Sequence, residues 1–147
     1  MRFWIGVASR EHVKRGEAEG FCQLCHGKAQ PLARMSKGDW IIYYSPKTFF
    51  GQDDPCQKFT AIGEIIGSEV YQHAMAPDFI PYRRDVRFLT CTEVEIRPLI
   101  ENLSFIKNKK QWGYAFRFGY LEIPEEDFQL IAKLMLGKSP VHIPGGN

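Results

Sequence analysis

The chain has 147 residues, 44% hydrophobic and 24% charged, enough for one domain that buries roughly two thirds of its unfolded surface. A net charge of +2 and a pI near 8.3 fall short of the strongly basic balance of a bulk duplex binder, with pI above about 9, but allow a small basic site. No apolar run reaches membrane-spanning length.

Arg2 to Ala8 is short, apolar and bounded by polar residues, as expected of a buried opening strand. Ser9-Arg10-Glu11-His12 ends the run too early for a signal-peptide core of about seven to fifteen residues. A cytoplasmic location is therefore expected, with Cys22, Cys25, Cys56 and Cys91 as reduced thiols. Ser9 is placed to cap a helix from Arg10, which Gly16 and Gly20 weaken, and Gly20 to Lys28 reads as loop or irregular strand. Pro31 suits the first turn of a second short helix, Pro31 to Met35. Trp40 to Tyr44 is β-branched and aromatic, a strand that Pro46 should stop. Within it Tyr43 and Tyr44 should face opposite sides, one inward and one outward.

Lys47 to Lys58, with Gly51, Asp53, Asp54 and Pro55, reads as an exposed loop. Phe59 to Val70 resumes as a strand bent at Gly63 and Gly67. Asp85 to Ile96 alternates, with Val86, Phe88, Thr90, Thr92, Val94 and Ile96 on one face, and predicts one long half-buried strand. Pro98 to Leu103 and Lys109 to Phe116 suggest short helical segments. Pro124 followed by Glu125, Glu126 and Asp127 starts a final helix with a buried stripe of Phe128, Ile131 and Met135, and Gly137 ends it. Strands outside a parallel βαβ rhythm, with helices between them, predict an α+β domain on a small bent β-barrel.

Cys22-Gln-Leu-Cys25-His26 matches the pattern for c-type haem attachment. Such attachment follows export, and a zinc site would need a second ligand pair that the scattered Cys56, His73 and Cys91 do not supply. No haem, metal or other cofactor is therefore expected. Hydrolase elbows, zinc-protease helices and phosphate loops are missing from the sequence, and Asp53-Asp54 and Glu125-Glu126-Asp127 read as a loop and a helix start. The stretch Trp112-Gly-Tyr-Ala-Phe-Arg-Phe118, after the basic run Lys107-Asn-Lys-Lys110, is the most suggestive segment. Rings beside cations are how proteins hold nucleobases, although core packing also uses rings.

Taken together, Gly20-Phe-Cys-Gln23, His26-Gly-Lys28, Pro31-Leu-Ala-Arg-Met35, Gly38-Asp39, Tyr43-Tyr-Ser-Pro46, Phe59-Thr-Ala-Ile-Gly63, Arg83-Arg-Asp-Val86, Phe105-Ile106, Trp112-Gly113 and Phe116-Arg117 resemble the EVE domain. This is a PUA-like module related to the YTH and ASCH domains. The likeness runs over about residues 2 to 136, and implies a PUA-like bent β-barrel over 1–137 with flanking short helices, a C-terminal helix, and a flexible tail over 138–147. It also implies a pocket for a modified base flipped out of DNA or RNA. By position, Gly20, Phe21, Cys22 and Gln23 would form one wall and Tyr43, Tyr44, Ser45 and Pro46 another, with Trp112 and Phe116 at the edge. His26, Lys28, Arg34, Arg83, Arg84 and Arg117 would make phosphate or polar contacts. The alternative is a small hydrolase of a modified nucleoside, as among ASCH relatives, using Lys28, His26 and Glu64.

Overall fold

The computed structural model describes residues 1–141. Along the chain come β1 (Phe3–Val7), α1 (Arg10–Glu19), β2 (Phe21–Cys22), α2 (Ala29–Ala33), β3 (Trp40–Lys47), β4 (Pro55–Ile65), β5 (Tyr71–Gln72), β6 (Tyr82–Phe88), β7 (Val94–Glu95), β8 (Tyr120–Ile123) and α3 (Glu125–Leu136). Two 3-10 segments, Arg97–Asn102 and Trp112–Phe116, precede β8. The strands form one mixed sheet in the order β2-β6-β4-β3-β1-β8, with β5 on β6 and β7 on β4. β1 and β3 pair in parallel and the other pairs are antiparallel. The sheet curls into a half-barrel whose edge strands, β2 and β8, do not pair with each other.

Both faces of the central strands are covered, which explains their nearly unbroken apolar sequence. One face carries Phe3, Ile5, Trp40, Ile42 and Tyr44 against Phe128, Ile131 and Met135 of α3. The other carries Trp4, Ile41 and Tyr43 against Val13 of α1 and Leu32 of α2. Each such side chain contributes roughly 1.5–3 kcal/mol by leaving water. Two buried carboxylates fix loops to this frame. Asp39 accepts hydrogen bonds from the Arg2 amide, the Trp4 indole and the Ser36 amide, and Asp127 accepts from the Ser104 amide and hydroxyl and the Phe105 amide.

Double coverage corrects the expectation for the tyrosine pair. Tyr43 and Tyr44 do point to opposite faces, but both are buried because neither face is open. Pro46 does not stop β3, which continues to Lys47 through a register shift between Ser45 and Lys47 that spares the missing donor. β4 correspondingly starts at Pro55, inside the segment expected to be loop, and ends at Ile65 rather than Val70. α2 begins two residues before Pro31.

The alternating stretch Asp85 to Ile96 is not one strand. β6 ends at Phe88, β7 holds only Val94–Glu95, and the two pair with opposite ends of β4. In the gap, the Thr60 carbonyl of β4 accepts a hydrogen bond from Lys14 Nζ at 2.7 Å, and Glu93 is held by Arg10 and Lys14. The Thr92 amide turns away to the Met135 carbonyl at 2.8 Å. The Leu89 amide still donates to the Ile62 carbonyl of β4 at 2.9 Å, and at Thr60 Lys14 of α1 takes the place of a strand partner. The final helix matches its expected stripe, with Phe128, Ile131 and Met135 buried and Gly137 at its end. Of the expected tail, residues 142–147 lie outside the described residues.

Candidate functional site

The two unpaired edges of the half-barrel come together through their loops rather than through a strand ladder. The Cys25 thiol donates to the Phe118 carbonyl at 3.3 Å. A Cβ built on Gly119 would sit 3.0 Å from that sulfur, so the approach is as close as a glycine allows. At this seam opens a cavity of about 530 Å³, within the range of small-ligand sites. It is lined by the end of β1 with Ala8 and Ser9, by His12, by Gln23 and Cys25 to Gly27, by Pro46 and Lys47, by Phe50 to Gln52, by Phe79, and by Phe116, Arg117 and Gly119.

The Gln23 to Gly27 wall is held in an uncommon shape. Cys25, His26 and Gly27 follow one another with φ of 50, 60 and 85°, and a left-handed non-glycine residue costs roughly 1 kcal/mol. Surrounding bonds impose it: the Gly27 amide donates to the Leu24 carbonyl at 3.0 Å and the Tyr82 amide to the Gly27 carbonyl at 2.9 Å. A Cβ on Gly27 would lie 2.3 Å from Pro81 Cβ, so only glycine fits. His26 then meets Phe50 edge to face at 5.6 Å between ring centres.

The cavity's chemistry is aromatic and cationic. Phe50, Phe79 and Phe116 supply rings, Lys47 and Arg117 supply positive charge, and among the described residues no aspartate or glutamate lines it. Phe50 is 73% exposed although it is large and apolar. His12, also in the lining, is held below its ordinary value of 6.5 by desolvation and by the Arg15 charge. Beside the mouth, the Arg117 guanidinium lies 3.7 Å from the Tyr114 ring centre and 4.3 Å from that of Phe118. Both rings are exposed.

The residues singled out in the sequence divide into three groups. Gln23, His26, Pro46, Phe116 and Arg117 line the cavity. Phe21, Cys22, Tyr43, Tyr44 and Ser45 are buried and outside its lining. There Tyr43 Oη donates to the Gln23 carbonyl at 2.9 Å, Ser45 hydrogen-bonds Thr60 at 2.8 Å, and Tyr44 stacks on Phe116 at 4.3 Å. Gly20 closes α1, and Trp112 packs on the core below Arg97. The basic residues are spread out. Arg84 is buried and donates to the carbonyls of Leu32, Met35 and Gly67, while Arg83 lies buried 3.6 Å above the Phe21 ring. Arg34 donates to Tyr120 Oη, and Lys28 is exposed outside the cavity lining.

Of the groups named for hydrolysis, only His26 borders the cavity, and Glu64 is engaged by Arg87 at 2.8 Å. The cysteine motif is divided, with Cys22 buried and its thiol pushed up to about 12 by desolvation, and Cys25 facing the cavity. Among the described residues, no three His, Cys, Asp or Glu side chains gather as a metal site would require. Sequence reasoning missed Ser9, His12, Lys47, Phe50 and Phe79 as cavity residues. The one available signal was Phe49-Phe50, two large rings in a Gly- and Asp-rich loop with no apolar face to join.

The EVE domain family model matches residues 2–134. The chain belongs to the EVE domain family. A UPF0310 protein of Bacillus licheniformis is 57% identical to this EVE domain over 128 residues, 87% of each chain. One from Mycolicibacterium vanbaalenii is 48% identical over 145 residues, 99% of each, and YdcG of Bacillus subtilis is 44% identical over 90% of this chain and 91% of its own. Among solved structures, Rpa0253 of Rhodopseudomonas palustris aligns with a TM-score of 0.53 at 18% identity, covering 91% of this chain and 92% of its own. Atu2648 of Agrobacterium tumefaciens aligns at 0.55 and 13% identity, covering 96% and 100%. These two likenesses concern the fold. The curled mixed sheet with short helices and a C-terminal helix is the PUA-like architecture expected of an EVE domain, and it is consistent with a nucleic-acid-binding module. No helix among the described residues is long and apolar enough to cross a membrane.

Proposed function

We propose that this EVE domain is a non-catalytic reader that takes one modified, unstacked base of DNA or RNA into the seam cavity. The observation that carries this reading is the lining of that cavity: Phe50, Phe79 and Phe116 as rings, Lys47 and Arg117 as cations, and no carboxylate side chain among the described residues. A nucleotide is a planar π-system joined to an anion, and this pairing of groups complements both parts. The half-barrel meets the cost of extrusion, a few kcal/mol, by stacking and by edge contacts in a site already formed. The Tyr114-Arg117-Phe118 group lies beside the mouth, where a neighbouring base and its phosphate emerge.

Fluorescence anisotropy with single-stranded oligonucleotides tests this, each carrying one modified cytosine, one modified adenine or the unmodified base. Saturable binding should favour one modified strand and weaken with salt, log K falling by about 0.7 per phosphate contact and tenfold in salt. Absence of both binding and discrimination at low salt across the panel rejects the reading.

A further inference from the structure

Among the described residues, the most exposed phenylalanine, tyrosine or tryptophan rings are Phe50, Phe118 and Tyr114, at 73, 68 and 62%. All three stand at the seam cavity. Phe50 is in its lining, and the other two flank the guanidinium of Arg117, which is in the lining as well. Arg117 holds that pair of rings, stacking on both and donating to the Tyr114 carbonyl at 2.8 Å. Each ring thus has the cation against one side and water over much of the rest. Large apolar groups left in water beside a cavity mark a surface that meets a partner.

Positive charge at the same place is scarcer than ring surface. Of the two lining cations other than histidine, Lys47 already bridges Asp53 at 3.2 Å. Elsewhere Arg2, Arg10, Lys14, Arg15 and Arg87 each stand within 4.0 Å of a carboxylate, and the whole chain carries only +2. A duplex binder commonly neutralises roughly six to ten phosphates. Affinity at this mouth therefore lies in ring faces more than in phosphate contacts.

Ring faces are of use only to bases whose own faces are free. In a duplex the neighbours of an extruded base stay paired and stacked, and drawing them onto protein rings would break further pairs and stacks. In a single strand the same bases are unpaired and stack on aromatic side chains at a net gain. We infer that the nucleic acid read at this cavity is single-stranded, with bases next to the inserted one stacking on Tyr114 and Phe118. The inference rests on the base-reader reading and goes beyond it by naming the strand state of the ligand.

Fluorescence anisotropy at one low salt concentration tests it with DNA and RNA strands bearing 5-methylcytosine, N6-methyladenine or the unmodified base at the centre, each free and annealed to its complement. The strand that the full chain prefers should bind at least about tenfold more tightly free than annealed. Tyr114→Ala combined with Phe118→Ala should weaken binding of the free strand about tenfold or more and leave the annealed strand level, at an unchanged melting temperature. Tyr114→Leu combined with Phe118→Leu keeps apolar bulk without a flat ring and should lose most of the same affinity; it carries the comparison if the alanine pair melts lower. Equal or tighter binding of the annealed strand, with a modified base still preferred, overturns the single strand while the reader stands. A gap between free and annealed strands that both double variants retain overturns the stacking on Tyr114 and Phe118. A preference for the free strand with no preference among the bases rejects the reader and leaves the single-strand assignment standing. Absence of binding in every form overturns both.

Discussion

Arg84 and Arg117 carry the same group beside aromatic-rich segments, yet the fold uses them in opposite ways. The Arg84 guanidinium is committed to the carbonyls of Leu32, Met35 and Gly67 and ties the α2 segment to β6. Arg117 is exposed between two exposed rings, with a single bond to the Tyr114 carbonyl at 2.8 Å. A positive residue near an expected binding face is thus a candidate contact only if its donors are free. In the Arg83-Arg84 region charge has been used to build the frame, whereas the Arg117 guanidinium holds only its own loop, through the Tyr114 carbonyl and two exposed rings, among the described residues.

Phe116 gives the largest effect separating frame from rim, because it belongs to both. It stacks on Tyr44, meets Phe105 edge to face at 5.9 Å, and also lines the cavity. Phe116→Ala should cost about 3–5 kcal/mol, read as a lower denaturation midpoint. Arg84→Met follows, since the buried carbonyls of Leu32 and Met35 and the partly buried one of Gly67 lose their donor. Chemical denaturation should show a loss of about 3 kcal/mol, while the salt slope of oligonucleotide binding by the folded fraction stays at the wild-type value. A reduced slope there would erase the contrast with Arg117.

At the rim the order reverses, with binding affected and stability spared. Tyr114→Ala and Phe118→Ala should each weaken binding of a single-stranded probe by about 1–3 kcal/mol if a base stacks on that ring, without lowering the melting temperature. Arg117→Ala should reduce the salt slope by about one contact, a titration from low to moderate salt being the check. An unchanged slope would remove Arg117 from the ligand's path. The smallest effect belongs to Glu93, part of the frame. A hydrogen bond from Arg10, and then the Lys14 charge, hold its carboxyl below the ordinary value of 4.5 despite partial desolvation. A depressed carboxyl stabilises the fold above its unfolded-state value and loses that contribution as pH falls through the lower folded value. Glu93→Gln should cost about 1 kcal/mol or less at pH 7, and the difference from wild type should vanish in strong acid.

Elements whose residues answer to a local rule were legible in the sequence. β1, the core of β3 and the last helix follow from apolar runs, β-branched and aromatic content, and the Pro124 to Gly137 punctuation. Asp85 to Ile96 was misleading because alternation reports which side a residue faces, not whether one partner strand can follow the whole length. Lys14, from a helix far away in sequence, takes the Thr60 carbonyl in that gap, and Arg10 holds Glu93 beside it. The cavity was less legible still. Gln23, Pro46, Phe116 and Arg117 could be placed by resemblance, but Ser9 looks in sequence like an ordinary cap. That its hydroxyl is unused depends on Thr48, which takes the Glu11 amide from another loop. Phe79 reaches the cavity from a segment with no periodic pattern. Which ring in an aromatic-rich chain remains outside the core is decided by the curl of the sheet.

The unclosed seam between β2 and β8 has a consequence for association as well as recognition. A strand edge with free amides and carbonyls can recruit another chain, and proteins prevent this by shortening or covering such edges. Here β2 has two residues and β8 four, and the Cys25 to Gly119 approach spans the gap between them. An incoming strand would find too short a ladder on either side to gain much by pairing. The half-barrel can therefore leave its seam unclosed without offering a long strand edge there to copies of itself.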